Sequence, residues 1–419
     1  MPRHATMPAA APEHHSRTRP ELTLQALLRR AIALRGDAPA MAEAPDTTNW
    51  YHRGPRNLSL GAWAERAENL GAAMLELGLA AGDRVIVQLP NVADLGAVIL
   101  GLAGAGLVPC PVPMGFAEDA LHEATEAASA RAIITTTRFG RQRPAEAAVG
   151  VAAALFGVRF VCGFGGDLPD GVAPLDGWQP GAMRNGRDAG ADDTALVTFE
   201  RRGGRLVPMA RSHRQIVADA LAVAIAARCD TRTTLVSTLP ASSALGVAAN
   251  LLLPLLTGTR LHLHGPFSSR LLITQLAAAP GAQLLVPAAL AGTLADLAAE
   301  LPGRLGTPLL VHRWPATGAA PPTPIAVVDL HGFGETALVV ATRNAGRDPA
   351  PLPPHALHPA AEVLGLDRPS LETALDEAGH VLLRGESVAS ELDTVPDPTR
   401  WHDTGVAGRH LPEGSIALG

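Results

Sequence analysis

Residues 84–95 read RVIVQLPNVADL, a run of branched apolar residues that leads directly into a second apolar segment. The run RVIVQL predicts a short buried strand, and residues 92–105 have the apolar spacing of a helix. Further strands are predicted at 107–112 (LVPCPV), 132–135 and 159–163, with a helix over 116–130. Because strands and helices alternate, this part of the chain predicts a mostly parallel sheet with helices on both faces.

The alternation resumes after a stretch rich in Pro, Gly and Asp at residues 165–193. Strands are predicted at 194–199, 234–238, 260–264 and 283–286, and helices at 212–228, 244–256, 268–278 and 288–301. Later strands near 325–330, 380–383 and 415–418 indicate a smaller β-rich lobe. We therefore predict an α/β fold of two stacked subdomains with this lobe.

The predicted boundaries follow these changes in pattern. Residues 1–20 are rich in Pro, His, Ala and Arg without a continuous apolar segment, so we expect a disordered tail and no secretory signal. The first α/β subdomain is placed at 21–190 and the second at 191–305. Residues 306–419 contain the remainder of the second subdomain and the β-rich lobe.

Composition excludes several classes of function. The net charge of −6, the pI near 6.2 and the 3% aromatic content argue against nucleic acid or an anionic membrane as a partner. The most apolar stretch, residues 244–256, is too short to span a bilayer. Three widely separated cysteines indicate small buried residues in a reducing compartment, and we expect a cytoplasmic protein.

Several ordered segments resemble the adenylate-forming superfamily of acyl- and aryl-CoA ligases and nonribosomal adenylation domains. The segments are RVIVQLPNVADL at 84–95, LVPCPVP at 107–113, Leu206-Val207-Pro208 with Ser212-His213, Leu239-Pro240 with Gly246, Leu285-Val286-Pro287, Gly332-Phe333-Gly334, and residues 401–405. The Leu-Val-Pro variant is most similar to aryl-acid ligases, which activate salicylate or 2,3-dihydroxybenzoate for siderophore assembly. The resemblance implies the large domain of such an enzyme.

The resemblance places a phosphate-binding loop at residues 198–205, where the family has small hydroxyl residues followed by Pro-Lys. This chain reads TFERRGGR there, and all 34 of its basic side chains are arginine. Glu200 would add a negative charge beside a triphosphate, and Arg205 is the candidate replacement for the lysine. The segment also predicts a solvated basic hairpin with a turn at Gly203-Gly204, and we favour this alternative.

Other positions implied by the resemblance also depart from the family pattern. Ser243-Ala244 replaces a His-Asn pair that reads the aryl ring, and residues 312–315 (HRWP) replace a Gly-Gly-Ala segment beside adenine. The magnesium-linked glutamate falls at Ala337, with Glu335 two residues early. Val406 replaces the aspartate that binds the ribose, with Asp403 either a shifted substitute or a turn residue.

These positions define two candidate sites by resemblance. The vestigial nucleotide site consists of Gly203, Gly204, Arg205, Gly332, Phe333, Gly334, Glu335, Thr336, Asp403 and Val406. The vestigial acyl site consists of Ser243, Ala244, Gly332 and Gly334. No metal site is predicted, since His262 and His264 lack a third ligand. The chain ends at the family's hinge, so the small C-terminal lid domain is expected to be absent.

The departures together predict a homologue that does not adenylate alone. We expect it to be a non-catalytic or repurposed partner in siderophore or nonribosomal natural-product biosynthesis, binding a carrier protein, a partner enzyme, or an aryl or acyl ligand. No cofactor is expected. Two alternatives remain open: an active ligase that uses ATP and Mg²⁺ with a lid supplied in trans, and an ATP-independent acyl-transfer enzyme that uses the acyl pocket.

Overall fold

The structure, a computed structural model, describes residues 22–178, 189–315, 321–349, 351–353, 355–356, 370–412 and 414–418. The tail predicted for residues 1–20 lies outside these ranges. Across the described residues, helices and strands alternate as predicted and then give way to a run of strands. The α/β fold class is therefore confirmed.

The N-terminal part of the described chain consists of short strands, all parallel except β2, and the helices that connect them. In chain order these are α1 (Leu24–Arg35), β1 (Pro39–Ala42), α2 (Thr47–Trp50), β2 (Asn57–Ser59), α3 (Leu60–Glu76), β3 (Arg84–Val87), α4 (Ala93–Gly104), β4 (Val108–Pro111), α5 (Glu118–Ala127), β5 (Ala132–Thr136), α6 (Pro144–Ala154), β6 (Phe160–Phe164) and β7 (Val172–Pro174).

The middle part opens with an antiparallel hairpin and returns to the same alternation. Its elements are β8 (Thr194–Arg202), β9 (Arg205–Ser212), α7 (His213–Ala227), β10 (Thr234–Ser237), α8 (Ala244–Gly246), a π-helix (Val247–Leu252), α9 (Leu253–Thr257), β11 (Arg260–Leu263), α10 (Ser269–Ala278), β12 (Gln283–Pro287), a 3₁₀ turn (Ala288–Leu290) and α11 (Thr293–Glu300).

The C-terminal part of the described chain consists of strands. They are β13 (Leu309–Trp314), β14 (Val327–Phe333), β15 (Ala337–Arg343), β16 (His355–Ala356), β17 (Leu371–Leu375), β18 (His380–Arg384), β19 (Ser390–Glu391), β20 (His402–His410) and β21 (Ile416–Leu418). Strands β16, β17, β18, β20 and β21 form the five-stranded sheet of the predicted β-rich lobe.

Two larger sheets form the stacked subdomains. The first is parallel, in the order β4-β3-β5-β6-β7, and the second has the order β15-β14-β13-β12-β10-β11-β1-β2. One apolar cluster contains Val85 of β3, Val98 of α4, Ile216 of α7 and Leu235 of β10. The two subdomains therefore share a core, because α4 is apolar on all sides and packs between elements of both.

The chain crosses between the subdomains earlier than the sequence pattern indicates. Strand β1, within the segment assigned to the first subdomain, pairs in parallel with β11 through Met41 and Leu261. Conversely, Val197 of β8 and Leu206 of β9 pack in an apolar cluster with Ile86 of the first sheet. Residues on each side of the boundary near residue 190 therefore pack with the other subdomain.

Candidate functional site

The segment aligned with the phosphate loop is a regular hairpin. Strands β8 and β9 stay paired up to Arg202 and Arg205, which are ladder partners. Gly203 and Gly204 have φ of 55° and 83°, the positive values that a two-residue hairpin turn of this type requires at both positions. The predicted hairpin with a Gly-Gly turn is confirmed, and Arg205 is an exposed ladder residue at the start of β9.

Glu200 directs its carboxylate onto the turn between β14 and β15. Its Oε2 accepts hydrogen bonds from the backbone N–H of Glu335 (3.0 Å) and from the hydroxyl of Thr336 (3.1 Å). Its Oε1 accepts from Nε of Arg202 at 3.0 Å. The carboxylate therefore links the hairpin to the turn formed by the predicted site residues Gly334, Glu335 and Thr336. It can approach this closely because Gly334 has no side chain, and a Cβ there would overlap with it.

Arg202, at the end of β8, also links the hairpin to this turn. Its Nη2 donates to Thr336 Oγ1 at 2.9 Å, and its Nη1 donates to Glu391 of β19 at 3.1 Å. Thr336 therefore receives a hydrogen bond from a guanidinium and donates one to a carboxylate. The hydroxyl is held in a single orientation, since both of its neighbours are charged and fixed.

The carboxylate of Glu335 is bonded to the backbone at the start of α8. Its Oε2 accepts from the backbone N–H of Ala244, at the start of α8, at 2.8 Å. Burial raises its pKa, although the Ala244 N–H and the guanidinium of Arg313 oppose this. Ala337, the position that the resemblance assigns to the glutamate, is only 2% exposed and packs in the core of the lobe.

Two of the four residues predicted for the acyl site, Ser243 and Ala244, lie at the start of a helix. Ser243 is the N-cap of α8, and its Oγ accepts from the Gly246 N–H at 3.1 Å and from Arg313 Nη2 at 3.3 Å. Arg313 is the ladder partner of Gly332, so its side chain and Ser243 lie beside the glycine. The acyl-site residues are therefore together, with an exposed arginine among them that the sequence analysis did not assign.

Phe333 and Val406 lie in an apolar cluster with Trp314. All three side chains are buried, and the cluster extends into the lobe through Val381 and Leu383. The indole and the valine therefore point into the interface between the ends of β13 and β14 and the lobe.

A buried polar group behind this cluster was missed by the sequence analysis. His312 and His331 are ladder partners whose rings stack at 4.5 Å, and His312 Nε2 donates to Asp329 at 2.8 Å. Arg343 Nη2 donates to the same carboxylate at 3.0 Å, so His312 and Arg343 hold the pKa of Asp329 below its usual value despite its burial. The sequence did contain a signal for this group: residues two apart on a strand share a face, and the pairs 312/314 and 329/331 have this spacing on neighbouring strands.

This group does not fit a metal ion, although His312, Asp329 and His331 bring possible ligand atoms within 4.8 Å of one another. Trp314 Nε1 donates to His331 Nδ1 at 3.1 Å, so the neutral ring carries its proton on Nε2. Burial lowers the pKa of His331 to about 3, which keeps the ring neutral. Neither nitrogen of His331 then offers a free lone pair, and Arg343 covers the carboxylate.

Asp403 is bonded to residues of the β-rich lobe. Its Oδ1 accepts from the Gly405 N–H at 2.8 Å, which is the geometry of a turn aspartate, and Oδ2 lies 3.6 Å from Nδ1 of His380. The Gly405 contact agrees with the alternative of a turn aspartate, although Asp403 itself lies in β20. His264 is also engaged at both nitrogens, by Gln275 and the Ser268 N–H, so it is no metal ligand paired with His262.

A groove of about 590 Å³ lies elsewhere, beside the N-terminal end of α7. Its charged lining is paired internally, as Arg214 with Asp192 at 2.8 Å and Arg84 with Asp393. None of the predicted site residues lines it. Among the helices of the described chain, no helix has the length and hydropathy needed to cross a membrane.

Comparisons with known proteins agree with this architecture. The family model described as AMP-binding enzyme matches residues 28–196. The acetyl-coenzyme A synthetase of Xylella fastidiosa is 31% identical over 137 residues, which are 32% of this chain and 21% of that protein. The aligned segment thus spans about a fifth of that curated relative.

Solved structures extend the similarity over the described fold. An anthranilate CoA ligase bound to anthranoyl-AMP superposes with a TM-score of 0.74 at 16% identity, covering 94% of this chain and 77% of that chain. ATP-bound MatB from Rhodopseudomonas palustris gives 0.71 at 19% identity, covering 94% and 78%. Residues 28–196 thus match the AMP-binding family, and the described chain has the fold of these solved structures.

Proposed function

We propose that this chain is an adenylate-forming homologue that does not form acyl-adenylates on its own. The observation that carries the proposal is the hairpin of β8 and β9, which is laddered up to its two-residue turn at Gly203-Gly204. A loop that wraps a triphosphate needs free backbone N–H groups and small residues around the anion. In this hairpin the backbone is paired, and Glu200 adds a carboxylate beside the turn at Gly334.

The positions next to the hairpin support the same conclusion. Val406 has no group to bind the two ribose hydroxyls, and losing such charge-assisted bonds costs about 1.5–3 kcal/mol. Trp314 and Val406 are both buried in one apolar cluster, so a nucleotide there would meet a desolvated surface without partners. Ala337 is buried in the same cluster and has no carboxylate for magnesium. No cofactor is part of the proposal.

The finer proposal concerns context. We infer that the chain acts in the cytoplasm as a non-catalytic or repurposed partner in siderophore or nonribosomal natural-product assembly, binding a carrier protein, a partner enzyme, or an aryl or acyl group. The support is the similarity of Leu206-Val207-Pro208 to aryl-acid ligases and the cluster of Ser243, Gly332 and Arg313. Arg313 is exposed beside Gly332, where it would favour a ligand with a carboxylate.

Pyrophosphate exchange tests the central proposal. The purified protein should stay at the background rate with ATP, Mg²⁺ and each of salicylate, 2,3-dihydroxybenzoate and benzoate. An active aryl-acid ligase assayed in parallel is the positive control. Robust exchange that Arg205→Ala abolishes would establish an active ligase instead, with arginine in the role of the family lysine.

A binding screen separates the remaining possibilities. ATP, an aryl acid and an aryl-adenylate analogue are titrated separately into the protein by calorimetry. Binding of the aryl acid alone, weakened by Arg313→Ala, is the result expected for a repurposed acyl pocket. Millimolar ATP should give no heat of binding, and a saturable ATP signal would contradict the proposal of a closed nucleotide site.

A further inference from the structure

Three side chains that can bind a metal ion meet in the β-rich lobe. Asp376 lies in the turn between β17 and β18, His380 is the first residue of β18, and Asp403 lies on the neighbouring strand β20. The pairing of β18 with β20 is irregular between His380 and Leu382, and Leu382 is the ladder partner of Asp403. Irregularities of this kind redirect side chains, and here Asp403 is brought to the histidine.

The backbone orients both carboxylates at this point. Oδ1 of Asp376 accepts from the backbone N–H of His380 at 2.7 Å, and its Oδ2 lies 3.6 Å from His380 Nδ1. Oδ1 of Asp403 accepts from the N–H of Gly405 at 2.8 Å, and its Oδ2 lies 3.6 Å from the same ring nitrogen. Each aspartate therefore uses one oxygen to fix its own conformation and directs the other towards His380.

The separations fit the ligands of one metal ion better than they fit hydrogen bonds. An N–H···O hydrogen bond has a donor–acceptor distance of about 2.7–3.2 Å, which is shorter than both contacts of His380 Nδ1. Two ligands bound to one tetrahedral zinc at about 2.0–2.2 Å lie roughly 3.4 Å apart. The three ligand atoms lie within 4.8 Å of one another, so a single ion can reach all of them.

The charge of the cluster also favours a cation. Asp94, Asp192 and Asp329 each form an ion pair with at least one arginine. Among the described residues, no arginine forms an ion pair with Asp376 or Asp403, and both approach the same imidazole. Two carboxylates that share one site repel each other, and a divalent cation between them would neutralise both charges.

The types of ligand indicate which metals fit. One imidazole nitrogen with two carboxylate oxygens is a donor set for zinc and similar transition-metal ions. Calcium takes about six to eight oxygen ligands, more than this cluster supplies. The side chains of Asp376, His380 and Asp403 are 30%, 41% and 55% exposed, so an ion can enter from solvent and water can complete its coordination.

We propose that Asp376, His380 and Asp403 form a binding site for a divalent transition-metal ion, for which Zn²⁺ is the test ion. Oδ2 of each aspartate and Nδ1 of the histidine are the three protein ligands. The bound ion joins the turn between β17 and β18 to β20 and thereby stabilises the lobe. The site is independent of the proposed function, since neither the loss of adenylation nor the acyl pocket depends on it.

Isothermal titration calorimetry with zinc chloride tests the ligands one by one. Asp376→Asn and Asp403→Asn are the most informative variants, because an amide oxygen still accepts the backbone hydrogen bond while the ligand oxygen becomes an NH₂ group. Each of them, and His380→Gln, should weaken zinc binding at least about tenfold, since even changes around the ligands of a metal commonly cost that much. His410→Gln, at an exposed position of the same strand β20, is the matched control and should bind zinc as the parent does.

A second control concerns the adjacent histidines His14 and His15, which are other zinc-binding side chains of the sequence. His14→Gln/His15→Gln should retain the zinc binding that the aspartate variants lose. The reverse pattern, with binding lost in this variant and kept in both aspartate variants, overturns the proposal. Magnesium chloride should bind at least about tenfold more weakly than zinc chloride, because an imidazole nitrogen favours the transition metal. Equal affinities for the two ions would also overturn it.

Thermal unfolding separates metal binding from an ordinary ion pair. Zinc should raise the Tm of the parent and of His410→Gln, but not that of Asp376→Asn or Asp403→Asn, because only a bound ion stabilises the native state. With EDTA present, the two asparagine variants should be at least as stable as the parent, since a repulsion between carboxylates is removed. If both are less stable in EDTA and zinc leaves the Tm of the parent unchanged, the carboxylates are partners of His380 alone and the proposal is wrong.

Discussion

The carboxylate of Glu200 lies directly against the α-carbon of Gly334. Gly334 has φ of 55°, in the left-handed region, and its missing side chain is what allows the carboxylate to reach the N–H of Glu335. The two residues are 134 positions apart, with Glu200 in β8 and Gly334 in the turn that follows β14 of the second sheet. Their contact therefore joins the hairpin to the end of the second sheet.

Gly334→Ala should lower the free energy of unfolding by about 2–4 kcal/mol. Roughly 1–2 kcal/mol comes from placing an L-residue in the left-handed region, and the remainder from overlap with the carboxylate. Urea denaturation monitored by circular dichroism measures the change. In the double variant Gly334→Ala/Glu200→Ala the steric overlap is relieved, so the cost of the glycine substitution should fall to that of the backbone conformation alone. Strictly additive effects of the two substitutions would contradict direct contact.

Two substitutions of Trp314 should separate the cost of losing its hydrogen bond from the cost of losing its packing. Trp314→Phe removes the donor to His331 Nδ1 and leaves a buried acceptor unpaired, at a cost of about 1–3 kcal/mol. Trp314→Ala also empties part of the cluster that contains Phe333 and Val406, and should cost about 3–5 kcal/mol. Unfolding in urea gives both values. Two equally small changes would show that the indole is not packed in this core.

Stability should fall on mild acidification because buried histidines stay neutral in the native state. Burial lowers the pKa of His213 to about 4 and of His331 to about 3. The unfolded chain binds those protons near pH 6.5, so unfolding takes up protons between about pH 6.5 and 4. Each histidine contributes a slope of about 1.4 kcal/mol per pH unit in that window. Glu335 opposes this trend, since its pKa is raised.

The free energy of unfolding should therefore be lower at pH 4.5 than at pH 7, by about 3–5 kcal/mol. His213→Gln removes one contribution and should flatten the profile, whereas the exposed His410→Gln should leave its slope unchanged. Urea titrations at a series of pH values provide the profile. A stability that is constant or rises towards pH 4.5 would disprove the assignment of neutral buried histidines.

The three thiols should be unreactive in the native protein. Burial raises the pKa of Cys110 and Cys162 to about 12 and that of Cys229 to about 11, so little thiolate exists at neutral pH. With Ellman's reagent at neutral pH, the half-buried Cys229 should react slowly and the other two only after unfolding in urea. Cys229→Ala should abolish the slow native reaction. Rapid native labelling of that variant would exclude the buried positions of Cys110 and Cys162.

Local sequence was sufficient for the fold class and for one part of the site. Runs such as RVIV at β3 and AIITT at β5 specify buried parallel strands, because their residues are apolar or β-branched without alternation. Gly203-Gly204 specified the hairpin turn, since only glycine readily adopts positive φ twice in succession. Helix α6 was missed because its sequence PAEAAVGVAAA has almost no polar face to reveal a helical period.

Only the tertiary structure decided which partners the charged and polar residues found. Glu200 appears in the sequence as a charge misplaced in a phosphate loop, and its contact with Glu335 and Thr336 depends on how the hairpin meets the second sheet. The cluster of His312, Asp329, His331 and Arg343 depends on the register of three strands. Local periodicity reports which face of an element is buried. It carries no information about which distant residue is buried against that face, because strand pairing and the stacking of layers are set by the packing of the whole chain.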